Sequence, residues 1–74
     1  MNKTTASVQT EIDAAYLYNQ LAAVEDNETI ASIYKQMAAI EQSHAHGMVL
    51  KAKENGEAFA LPSPSWRAKT LNRI

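Results

Sequence analysis

The sequence predicts an all-α protein: a two-helix antiparallel hairpin with a short third helix, which needs a second copy of itself to make a four-helix bundle. Three observations predict it. Residues 5–24 and 28–54 repeat apolar side chains at helical spacing and contain one glycine and no proline. A single acidic turn divides them. The chain has 74 residues and no cysteine, so neither disulfides nor bound thiolates can reinforce a core that is marginal at this size.

The first helix should start at a Thr4 or Thr5 cap and run to about Val24, through a stretch rich in Ala, Leu and Gln. Its inward stripe reads Val8, Glu11, Ile12, Ala15, Tyr18, Ala22, a 3.6-residue period with one carboxylate inserted. Leu17, Leu21 and Val24 form a second apolar edge, so this helix expects more than one helical neighbour. In Glu25-Asp26-Asn27-Glu28, Asp26 or Asn27 is a good N-cap, and the acids favour the positive end of the next helix.

The second helix should run from about Glu28 to Glu54, with Lys51 and Lys53 at its negative end and Asn55-Gly56 as its stop. Its stripe is Ile30, Ile33, Tyr34, Met37, Ile40, Glu41, His44, Met48. Gly47 costs about 1 kcal/mol relative to Ala inside a helix, which suits close approach of a neighbouring backbone or simple packing. Residues 1–56 thus form the hairpin and 57–65 a linker, extended at Leu61-Pro62-Ser63-Pro64-Ser65 because each proline disfavours helix at the residue before it. Ser65 can cap a short amphipathic helix over 66–74, with Trp66, Leu71 and Ile74 as apolar points. That helix has no stop signal, so the chain reads as the N-terminal piece of a longer parent.

Composition narrows the function classes. A net charge of −1, with no cationic cluster on the long helices, argues against nucleic acid as a partner. No apolar run approaches the roughly 20 residues of a membrane span, and the N-terminus lacks the apolar core of a signal peptide. A cytoplasmic location is the expectation.

Chemistry gathers on the inner stripes. Glu41 and His44 lie three residues apart on one helical face, a spacing at which both can hold one metal ion. In a hairpin turning near residue 26, facing residues have numbers that sum to about 52, which sets Glu11 level with Glu41 and His44 level with Val8. Ionised carboxylates in an apolar interior need a compensating charge or protons, and a divalent cation supplies that charge. One hairpin leaves both stripes half covered, whereas two copies close a bundle holding two Glu11, two Glu41 and two His44. Four carboxylates then balance two divalent ions, the ligand set of carboxylate-bridged bundles. Tyr18 leans back toward Glu11 and is a candidate to hydrogen-bond the ligands. Tyr34 leans away from its own Glu41, so within one chain it reads as core, and it is a candidate to hydrogen-bond the ligands only if a partner chain brings them to it.

These residues carry a resemblance. Glu11-x6-Tyr18, with Glu41-x-x-His44 thirty residues after Glu11, resembles the first half of a rubrerythrin or erythrin domain of the ferritin-like superfamily. Glu11 to Gln20, Glu41-x-x-His44 and Met48-Val-Leu50 are also similar to encapsulated ferritins, two-helix chains that build their iron site across a dimer interface. Pro62-Ser-Pro-Ser-Trp66-Arg-Ala-Lys resembles the segment after the helix pair in bacterial proteins that join such a region to a vacuolar-iron-transporter-like membrane domain. The resemblance implies a ferroxidase working on iron, with manganese or zinc as alternatives. It implies Glu11 as a terminal ligand, Glu41 as the bridging carboxylate, His44 as the nitrogen ligand, and Asp13 as an acidic residue aiding metal entry. It further implies a homodimer or a higher oligomer of dimers, serving a membrane transporter domain or enclosed in a protein shell. Leu17 departs from the pattern, replacing an aromatic common near that site.

Plainer readings stand beside these. Glu41 and His44 could be a surface pair, Glu11 a carboxylate favoured by a helix dipole, and both tyrosines core. A metal-binding or sensing module without turnover, or a purely structural dimerising hairpin, would use the same sequence. His46 points away from His44 and reads as surface; Met37 and Met48 read as core. Trp66 with Arg67 and Lys69 suits either an interfacial membrane anchor or docking on the bundle.

Overall fold

In a computed structural model, described for residues 3–57 and 61–71, the chain is all helical. Helix α1 spans Lys3–Val24, α2 Glu28–Glu54 and α3 Trp66–Leu71. Thr4 and Thr5 lie inside the first turn of α1, whereas the sequence places one of them just ahead of it. The 72–74 portion of the expected third helix lies outside the described residues.

The turn and caps follow the sequence. Asn27 caps α2, its side-chain oxygen accepting from Ile30 N at 3.1 Å, while Glu25 Oε1 accepts from Asn27 N. At the far end Gly56 adopts φ +84°, a conformation that favours glycine. Its N–H donates to the Lys53 carbonyl and that of Glu57 to the Ala52 carbonyl, the paired bonds of a Schellman stop.

The seam between α1 and α2 is built from small side chains. Val8, Ala15 and Ala22 on α1 are buried, as the sequence stripe predicts, with Ala38, Ala45, Val49 and Ala52 on α2. Here the expected α2 stripe is corrected. Ile30, Ile33, Met37 and Ile40 are exposed, Ile40 by 52%, so Met37 is not core in the single chain; Met48 packs at the edge of the Val8–Ala45–Val49 cluster. Alanine lets two backbones approach closely, so the seam takes the narrow alanine row and the large aliphatics fall on the adjacent face. Tyr18 and Tyr34 stack across the seam, ring centroids 6.3 Å apart, and their numbers fit the expected register.

The molecule measures 44 × 23 × 14 Å, so its thin dimension is about one helix. A single layer cannot enclose a core, and Val8 is the largest side chain fully buried among the described residues. One broad face of the layer carries the tail. Leu61 and Pro62 join Ile12, Tyr16, Gln42 and His46 around an open groove of about 480 Å³. His46 is exposed, as expected. Helix α3 docks on α1 through Ala68, which is buried, while Trp66 stays 72% exposed with the Arg67 guanidinium over its ring at 5.8 Å. Docking of Trp66 itself on the hairpin is thus not observed. The other broad face is bare: Leu21 and Val24 of α1 and Ile30, Ile33, Met37 and Ile40 of α2 share it by helical position. Gly47 continues this row, and a Cβ on it would meet nothing within 4 Å, so among the described residues no neighbouring backbone approaches it.

Candidate metal centre

Glu11, one turn past Val8 on α1, and Glu41 and His44, one turn apart on α2, converge where the seam meets the bare face. One ligand atom from each lies within 4.8 Å of the others, the one such trio of His, Asp or Glu among the described residues. His44 Nδ1 stands 3.5 Å from Glu11 Oε2, too far for a hydrogen bond in its own right. His44 is 56% exposed and Glu11 21%, so the imidazole forms the solvent side and the carboxylate the inner wall.

The local sequence explains the placement. Val8 and Ala15 set α1's seam face, and Glu11 lies between them, turned slightly toward the bare side. On α2 Ala38 and Ala45 set the seam; Glu41 sits between them, and His44 begins the row continued by Ile40, Met37 and Ile33. The hairpin register, also marked by Tyr18–Tyr34, brings the two helices' donors to one height.

Glu11 Oε2 is buried yet has no hydrogen-bond partner, an arrangement that costs desolvation, with His44 Nδ1 at 3.5 Å as its polar neighbour. A cation at this point would supply the missing partner. Carboxylate oxygens and one imidazole nitrogen are donors suited to divalent iron, manganese or zinc. Around one ion, donors about 2.1 Å from the metal lie at most about 4.2 Å apart, so side-chain rotation of a few tenths of an ångström would close the trio. The residues fit a metal.

The remaining candidates lie elsewhere. Tyr18 and Tyr34 are half-buried and engage one another by stacking. Asp13 is outside the trio. Its Oδ1 accepts from Ser65 N at 2.8 Å and Gln9 Nε2 at 2.9 Å, and its Oδ2 from Ser65 Oγ–H at 2.6 Å. Burial pushes the Asp13 carboxyl up, but the bonds from Ser65 and Gln9 outweigh it and hold the group below the ordinary aspartate range. Gln9 Nε2 also donates to the Ser63 carbonyl at 3.0 Å. Neither the role of Gln9 nor the Asp13–Ser65 pairing is legible in the sequence: helical periodicity says nothing about where an extended proline segment returns.

No family model, curated protein or solved structure matches the chain. Among the described residues no helix is long and apolar enough to cross a membrane.

Proposed function

We propose that this chain is a metal-binding module of ferritin-like type that pairs with a second copy and oxidises Fe(II) at a centre shared between the two. The observation that carries the reading is the Glu11–Glu41–His44 trio, gathered around a buried carboxylate oxygen that lacks a hydrogen-bond partner. The bare aliphatic face supports pairing. It begins beside His44 and runs the length of α2's first half, and a second hairpin laid on it would bury Ile30, Ile33, Met37 and Ile40 together with the exposed side of the trio.

In the paired form each copy contributes two carboxylates and one imidazole. By the ferritin-like pattern Glu41 would be the bridging carboxylate, Glu11 a terminal ligand and His44 the neutral nitrogen donor. Iron is the substrate: two Fe(II) each give one electron to O2, which takes up two protons and leaves as hydrogen peroxide. Anionic oxygen donors favour the more highly charged oxidised ion. The protein's own work is to hold the donors at one height and exclude water by closing the aliphatic face.

The test is anaerobic Fe(II) titration followed by air. The expected result is one Fe(II) bound per chain, in a dimer, with Fe(III) absorbance rising faster than in buffer. Binding without accelerated oxidation would leave a loading or sensing module. No binding, with a monomer at all concentrations, would overturn the proposal.

A further inference from the structure

The tail grips α1 at the turn that carries Glu11. Gln9 and Asp13 lie two residues before and two residues after Glu11, about 200° round the helix from it. They bond each other and together hold Ser63 and Ser65 through one backbone carbonyl, one backbone N–H and one hydroxyl. Ser65 in turn caps α3, its Oγ accepting from Ala68 N, and the Ala68 side chain is buried. The clasp thus works on the back of the helical turn whose front presents the carboxylate.

The seam alone constrains that turn weakly. Alanine side chains make shallow ridges, and ridges packed into grooves are what fix a helix's rotation and slide against its neighbour. Around Glu11 the fully buried seam is Val8 and Ala15 from α1 against Ala45 and Val49 from α2, with the partly buried Ile12 and Met48 packed at its edge. The tail leaves the end of α2, the helix bearing Glu41 and His44, and fastens to α1, so chain and clasp join the two ligand-bearing helices on the side away from the ligands. Rotation of α1 that swung Glu11 off the trio would have to break these bonds or carry the clasped tail out of the groove it shares with Gln42 and His46 of α2.

We infer that Asp13 and Gln9, acting through Ser65 and Ser63, are positioning residues that hold Glu11 in its ligating orientation. This rests on the metal-binding reading above, and none of the four touches the ion. It assigns Asp13 a role other than aiding metal entry: an entry residue would change the rate of loading, a positioning residue its equilibrium and ligand geometry.

The experiment is Co(II) titration of the full chain, reading affinity by calorimetry and ligand geometry by the visible Co(II) spectrum, with helicity as the control for folding. Ser65→Ala and Asp13→Ala are expected to weaken Co(II) binding about ten-fold or more and to shift the visible bands, at unchanged helicity of the long helices. Ser65→Thr, which keeps the hydroxyl, should restore both. Glu11→Gln separates the two levels of the claim. If the natural chain binds no Co(II), the metal reading fails and this inference with it. If it binds, and Glu11→Gln abolishes binding while Ser65→Ala and Asp13→Ala keep natural affinity and spectrum, the metal site stands and the positioning role is overturned. A loss in Asp13→Ala with Ser65→Ala unaffected also overturns it, because Asp13 would then act without the tail.

Discussion

Tyr18 and Tyr34 stack across the hairpin with ring centroids 6.3 Å apart and planes 25° from parallel. They are the one aromatic pair to meet across a seam of alanine and valine, so they are its main register mark. Slipping α2 by one turn would part the rings and carry Glu41 and His44 past Glu11. Tyr18→Ala and Tyr34→Ala should each destabilise the chain by about 1–3 kcal/mol. In a double-mutant cycle by urea unfolding, the pair should show a coupling of about 0.5–1.5 kcal/mol. Strict additivity would mean that the stacking sets nothing.

The partnerless Glu11 oxygen gives a prediction in which stability and binding move in opposite directions. Glu11→Met keeps the side chain's length and removes the buried polar atom, so the metal-free protein should become more stable, by about 1 kcal/mol. Metal should then no longer raise its melting temperature. The natural chain, at 100 times the dissociation constant, should gain about 2.7 kcal/mol from the ion. Thermal melts with and without Zn(II) read both effects. A metal-free Glu11→Met chain less stable than the natural one would show that the carboxylate already serves a structural purpose.

How much of this is legible in the sequence depends on which physical signal each feature leaves. Helix extents and the Asn27 and Gly56 caps follow from local chemistry, and the level placement of Glu11 and Glu41 follows from the short turn, since chain connectivity alone fixes the register. The seam is where periodicity misleads. It marks an apolar face, but it gives Ile30, Ile33, Met37 and Ile40 the inner position that Ala38, Ala45 and Ala52 occupy. Alanine is a weak hydrophobic signal and a strong packing one, because its advantage is the close approach of backbones. The Asp13–Ser65 clasp leaves no periodic trace at all, since it joins a helix to an extended segment 52 residues away.

The clasp should depend on pH in a direction that its bonds dictate. With Ser65 and Gln9 donating to it, Asp13 ionises below its ordinary value near 3.8, so the docked tail prefers the charged form. A depressed carboxylate contributes stability that is fully present above the undocked value and is lost as pH falls through the docked one. Tail docking, read by Trp66 fluorescence anisotropy, should therefore be flat at neutral pH and fall only under acid conditions below that value. Asp13→Asn should loosen the tail at neutral pH and remove the acid transition. An acid transition of unchanged size in Asp13→Asn would place its origin in another carboxylate.

The bare aliphatic face yields the last prediction, on assembly. Ile40 is half exposed in the single chain and stands one turn before His44, so Ile40→Glu should cost the isolated hairpin no more than about 0.5 kcal/mol. In a paired form the same change would set a charge against its counterpart in an apolar interface, where burying an ion without a partner is prohibitive. Sedimentation equilibrium should find the natural chain dimeric and Ile40→Glu monomeric, with the long helices retained in both. The melting temperature of the natural chain should rise with protein concentration and that of the variant should not, because only an associating fold is stabilised by mass action. A variant that remains dimeric would move the interface elsewhere. A natural chain that is monomeric throughout would leave the trio as a site of three donors from one molecule.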